Sequence, residues 1–208
     1  MDPAVAMVRA YLQANGYFTM TEVPVMEALK GGSARMSTDL DILAVRFPGS
    51  KGIMTGAPRS GGRRRKDVDL KLQDPTLENE PDCLEFIIGE VKEGRAELNA
   101  AATHGRVMRA ALKRFGAFND KQVTHLVDDL LARGEARNDK PEARVRLMAF
   151  GSTPPEGKVR YEVIMLDQMM EYFSRIIEEH RDLLSIFNTK DPFLGTLMVM
   201  AKAGLFEK

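Results

Sequence analysis

The segment Leu84-Glu85-Phe86-Ile87-Ile88-Gly89-Glu90-Val91-Lys92 constrains this chain more than any other. It reads as a mostly apolar strand that ends on two charged side chains spaced two apart. Side chains alternate across a strand, so Glu90 and Lys92 share a face. A buried apolar strand gains nothing by finishing on a carboxylate and an ammonium. A site that needs an oxygen ligand beside a fixed cation does. Upstream, Thr38-Asp39-Leu40-Asp41-Ile42-Leu43-Ala44-Val45 reads as a second apolar strand that opens with acids and is the natural neighbour of the first.

The other elements follow from periodicity and punctuation. Asp2-Pro3 supplies a cap and a first helical residue, Val5, Val8 and Leu12 recur at helical spacing, and Asn15-Gly16 closes the helix. A strand from Tyr17 to Val25, a turn at Lys30-Gly31-Gly32-Ser33 and the acid-headed strand from about Asp39 to Phe47 follow. From Pro48 to about Pro81, Gly, Pro, Ser and charged residues dominate, as in a long loop. It carries Arg63, Arg64, Arg65 and Lys66, either a grip on a phosphate backbone or a solvated charge run.

After Lys92 a helix is expected from about Arg95 to Phe115. Leu98, Ala101, Gly105, Met108, Leu112 and Phe115 form its seam on the sheet, with Gly105 allowing close approach to a strand. Arg106, Arg109 and Lys113 fall on the opposite side, a stripe that is either a nucleic-acid contact or the wet face of the helix. Asn119 caps a shorter helix ending near Gly134. Two strands, Arg144 to Phe150 and Lys158 to Leu166, are expected to be joined as a hairpin. Asp167 then caps a helix with Met169, Phe173, Ile176, His180, Leu184 and Phe187 along one side, and Asp191-Pro192 opens a last, greasy one. These two C-terminal helices pack either on the core or on a second copy of the chain, as a homodimer.

At 208 residues, 44% apolar and 29% charged, the chain has room for one globular domain over 1–208, with a core over about 1–166 and a helical extension over about 167–208. No apolar run reaches membrane-spanning length, no signal-peptide pattern opens the chain, and Cys83 has no second cysteine to pair with, so a cytoplasmic protein is expected. A formal net charge of +0 argues against coating nucleic acid through bulk electrostatics but allows a local basic groove. His104, His125 and His180 stand far apart, which leaves no histidine cluster for zinc.

Asp41 in the second strand followed by Glu90-Val91-Lys92 in the third, with elements in the order helix, three strands, helix, strand, resembles the PD-(D/E)XK nuclease superfamily. The likeness covers roughly the first 150 residues. It implies an α/β fold with a restriction-endonuclease-like core, a central mixed β-sheet flanked by helices; the extra C-terminal helices have no counterpart. It also implies a divalent-metal-dependent nuclease that hydrolyses phosphodiester bonds, with DNA the first expectation. Mg2+ or Mn2+ would be held by Asp41, Glu90 and the backbone carbonyl of Val91, and Lys92 would orient the attacking water or stabilise developing charge.

Asp39 is either an auxiliary ligand or a strand-end polar residue, and Glu85 reads as a solvent-facing acid. One departure stands out. Many members carry a metal-reaching glutamate in the first helix, and Asp2 to Gly16 contains none; Glu22 or Glu27 would have to substitute. Two other readings stay open: a nuclease-like fold that binds nucleic acid or protein without cleaving, and an ordinary strand-end Glu–Lys pair.

Overall fold

The computed structural model describes residues 2–28, 32–50, 73–180 and 191–205. The basic quartet Arg63–Lys66 and the predicted helical positions Leu184 and Phe187 lie outside them. In chain order the elements are α1 (Pro3–Ala14), β1 (Phe18–Ala28), β2 (Ala34–Arg46), a single 3-10 turn (Pro75–Leu77), β3 (Leu84–Val91), α2 (Gly105–Phe115) and α3 (Asp120–Arg133). There follow β4 (Glu135–Asp139), β5 (Glu142–Gly151), β6 (Glu162–Met165), α4 (Leu166–Glu179) and α5 (Pro192–Lys202).

The strands form one mixed six-stranded sheet ordered β1-β2-β3-β5-β4, with β6 also on β5. β2 is antiparallel to both β1 and β3, whereas β5 runs parallel to β3 after the α2–α3 crossover. β4 and β6 share the outer edge of β5, β4 along Glu142 to Arg146 and β6 along Met148 to Gly151.

Helices cover both faces. On one, α1, α4 and α5 pack over Ile42, Ala44, Ile87, Val91, Met148 and Phe150. On the other, α2 and α3 pack over Leu43, Phe86, Ile88, Val145 and Leu147. β3 and β5 are therefore central strands buried on both sides, which is why they read as continuous apolar runs rather than alternating ones. Each large side chain buried there contributes about 1.5–3 kcal/mol. Met169, Phe173 and Ile176 of α4 and Leu197 and Ala201 of α5 share a core cluster with α1. No described helix is long and apolar enough to cross a membrane.

Several local expectations change. The helix after Lys92 begins at Gly105, not near Arg95. Residues 94–96 are instead stapled to the end of β5: Ser152 and Thr153 donate backbone N–H groups to Gly94 O, and Ala96 N–H donates to Thr153 O. Gly105 approaches α3 rather than a strand, since a Cβ there would meet Leu131 and Val127 at 3.6 and 3.7 Å. β5 and β6 are parallel neighbours, not a hairpin; the hairpin partner of β5 is the polar strand β4. Gly134 makes the passage from α3 to β4 possible. Its φ is +76°, and a Cβ would lie 1.8 Å from the carbonyl oxygen of Arg160.

Glu85 is no solvent-facing acid. It is fully buried on the α1 face, accepting from Arg46 Nε at 2.7 Å and from the Tyr17 hydroxyl at 3.1 Å, with Arg146 Nη2 at 3.6 Å. On a strand covered on both sides, a carboxylate survives only where cations meet it.

Candidate metal and catalytic site

Antiparallel pairing of β2 with β3 runs from Arg46↔Glu85 to Ile42↔Gly89. Just beyond this last pair come Asp41 and Glu90, on neighbouring strands and close enough for the Asp41 charge to act on the Glu90 carboxyl. The Asp41 side chain closes this end of the ladder, its Oδ2 accepting from the Val91 N–H at 2.8 Å. Glu90, two residues on from Ile88, points to the α2–α3 face. Lys92 is held by its own backbone, whose N–H continues the β3–β5 ladder to Phe150 O at 2.9 Å. Its ammonium meets Glu90 Oε1 at 2.6 Å.

The trio opens to solvent through the lysine. Its side chain is 41% exposed against 4% for that of Glu90. Glu90 Oε2 is buried and has no hydrogen-bond partner among the described residues. Burial pushes the Glu90 carboxyl above its usual range, Lys92 opposes the rise, and the Asp41 charge adds to it. Asp41 is likewise raised, first by burial, against the Val91 N–H and Lys92. Burial pulls the Lys92 ammonium down, but Glu90, Asp41 and Asp39 outweigh it and hold the group above the ordinary lysine value. A buried carboxylate with an orphaned oxygen and a half-buried one, both resisting ionisation, form a donor set short of positive charge.

The auxiliary candidates cluster around this point. Asp39 is exposed, yet its charge is felt by all three members of the trio. Thr21 pairs with Ile42 and Val23 with Leu40, so the residue skipped opposite Asp41 is Glu22. Glu22 has φ +52°, a left-handed conformation that is uncommon without glycine. Asp2, the cap of α1, also reaches Asp41 electrostatically, though its own carboxylate is committed to the Ala4 N–H at 2.7 Å. Its role as a helix cap gave no hint of that proximity.

The other basic candidates are not a free row. Arg106 is paired with Glu27 at 2.5 Å, Arg109 donates to the Thr124 hydroxyl at 3.1 Å, and Lys113 is paired with Asp120 at 2.8 Å. Among the described residues, no three His, Cys, Asp or Glu side chains converge as a closed metal cage. Two carboxylates with open positions suit an octahedral cation that keeps several waters better than such a cage would. No protein-family model matches the chain, and no curated protein or solved structure matches it either.

Proposed function

We propose that this chain is a divalent-metal-dependent nuclease built on a restriction-endonuclease-like core, with Asp41, Glu90 and Lys92 as its catalytic residues. The observation that carries the reading is the orphaned, buried Glu90 Oε2 beside Asp41, with the Lys92 ammonium on the other oxygen of the same carboxylate. The chain order, a helix, an antiparallel three-strand meander, a helical crossover and a parallel strand, supports it further.

The residues fit Mg2+ or Mn2+: Asp41 and Glu90 offer hard oxygens, and the Val91 carbonyl is the third ligand the resemblance implies. When bound, such a cation supplies charge neutralisation and water activation near neutral pH. Hydrolysis forms a bond from the water oxygen to phosphorus and breaks a P–O bond. The water gives up a proton, and the departing oxygen takes one up. Lys92, kept charged by its acidic neighbours, has no free lone pair to act as a base. It donates instead, either orienting the attacking water or stabilising a phosphate oxygen as charge builds. Asp41 also holds the end of β3 through Val91, so the carboxylate and the lysine share one rigid frame.

The test is cleavage of single-stranded, duplex and branched DNA, and of RNA, with Mg2+ or EDTA. Lys92→Met should lower the rate by about a hundredfold or more, the usual scale for losing such a donor. Asp41→Ala should remove both cleavage and metal binding. Metal binding without cleavage of any substrate by the wild type would move the chain to the non-cleaving reading.

A further inference from the structure

The β1–β2 hairpin overshoots the rest of the sheet. β3 ends at Val91, opposite the middle of β2, while residues 34–40 of β2 continue beyond it, paired only with β1. Between this overhanging arm and the start of α2 lies a cleft of about 540 Å³, lined in part by Glu27, Arg35, Ser37, His104 and Arg106. A volume of that order accommodates a nucleotide-sized ligand, since small-molecule sites span roughly 300–1,000 Å³.

Glu27 bridges both arginines. One carboxylate oxygen takes Arg35 Nε at 3.1 Å and Nη2 at 2.9 Å, and the other takes Arg106 Nη1 at 2.5 Å. Two guanidiniums converging on a single anion leave one positive charge uncompensated. Their planar forks suit phosphate oxygens as well as carboxylate oxygens. Both arginines are largely exposed, at 65% and 78% of their side chains, so neither is needed inside the core.

We propose that this cleft is a second phosphate subsite, at which Arg35 and Arg106 grip the backbone of a nucleic-acid strand whose scissile phosphate lies at the Asp41–Glu90–Lys92 trio, with Glu27 as the built-in anion that the strand displaces. The proposal rests on the nuclease reading for the position of the cut. Ser37 lies four residues before Asp41 on β2, roughly 13 Å at strand rise. That reach corresponds to a phosphate about two to four nucleotides from the cleaved bond. The chemistry recognised is the phosphodiester, not the base.

The experiment measures fluorescence anisotropy of a fluorescein-labelled 20-nucleotide single strand and its duplex, in EDTA, over a range of salt concentrations. The proteins are wild type, Arg35→Ala/Arg106→Ala, Glu27→Gln and, as a control of equal charge change on exposed positions of α3 outside the cleft, Lys121→Ala/Arg133→Ala. The Arg35/Arg106 double variant should bind about tenfold or more weakly, with the salt slope smaller by about one to two, as expected for one or two lost phosphate contacts. Glu27→Gln should bind several-fold more tightly, and the control should match wild type. Unchanged binding by the Arg35/Arg106 variant overturns the subsite even if the wild type cleaves. An equal loss in the control overturns it as well, because the effect would then be general surface charge. Wild-type binding of a labelled poly-glutamate peptide through the same arginine pair, without oligonucleotide binding, would assign the cleft to an acidic protein instead. Failure of all cleavage with the predicted binding pattern intact would remove the nuclease reading and leave the nucleic-acid subsite standing.

Discussion

Glu90 is 3% exposed, spends one oxygen on Lys92 and leaves the other without a partner. An unsatisfied buried acceptor costs about 1–3 kcal/mol, more when it is charged. The apo protein is thus destabilised at the point where a cation would bind. Glu90→Gln removes the buried charge while keeping shape and a hydrogen-bonding group, so its apo melting temperature should equal or exceed that of wild type. Mg2+ should then separate the variants. Wild type gains stability with ligand, about 2.7 kcal/mol at a hundredfold excess over Kd, which is several degrees for a domain of this size. Lys92→Met, relieved of a competing cation, should gain at least as much, whereas Glu90→Gln and Asp41→Ala should not respond. Differential scanning fluorimetry with and without Mg2+ reads all four proteins. A melting curve that Mg2+ leaves unmoved in the wild type would sink the metal assignment.

Leu40 and Leu43 belong to one core cluster, Ile42 and Ala44 to the other. A regular strand would put Leu40 with Ile42, so the alternation of β2 slips by one beside Asp41, and Glu22 across the ladder takes φ +52°. Holding a non-glycine residue there costs about 1–2 kcal/mol. Glu22→Gly should therefore raise the unfolding free energy by up to about 1 kcal/mol after the larger chain entropy of glycine is counted, read as a higher urea midpoint, while Glu22→Val should lower both. If both substitutions destabilise equally, the Glu22 side chain matters here rather than its backbone.

None of this was visible in the sequence, because pattern reading assumes the regular alternation that the site breaks. The parts that could be read were those with local causes: the Asp2-Pro3 and Asn119 caps, the glycine stop at Gly134, the apolar period of β2 and β3, and the same-face placement of Glu90 and Lys92. β4 escaped notice because Glu135-Ala136-Arg137-Asn138-Asp139 has no strand-like composition and is a strand through its pairing with β5. The stretch before Gly105 passed for helix because its spacing fits, whereas tertiary hydrogen bonds to β5 decide its path. Glu85 was legible in principle: Arg46, Arg144 and Arg146 sit inside apolar strands, and cations there require an acid.

β3 joins the two polar ends of the molecule. Near its C-terminal end stands the proposed catalytic trio; near its start Glu85 anchors a buried ionic network with Arg46, Arg144 and Arg146. The same arginines clamp the chain that enters β3, Arg146 donating to Leu77 O at 2.7 Å, Arg144 to Glu78 O at 3.1 Å and Arg46 to Glu80 O at 2.6 Å. Glu85→Gln would leave Arg46 and Arg146 buried with too little negative charge, a loss of about 3–5 kcal/mol on the scale of a broken buried pair. Around the rim, the hydrogen bond from Arg137 holds Glu80 below its usual value, and at Glu135 burial pushes upward but Arg144 and Arg137 outweigh it. Carboxyls depressed in the folded state stabilise it above their unfolded value of 4.5 and lose that contribution as pH falls through the lower folded values. The raised Glu90 and Asp41 carboxyls act the opposite way, adding stability as pH falls through their folded values, so the rim is read by difference: the excess of the wild-type urea midpoint over that of Glu135→Gln should hold from neutral pH to about 4.5 and shrink below it. The Mg2+-dependent shift in melting should survive Glu85→Gln, because that substitution weakens the frame at one end of β3 and leaves the donor set at the other intact. Loss of both together would mean that the two ends are coupled through the strand, and that the network positions Glu90 as well as stabilising the fold.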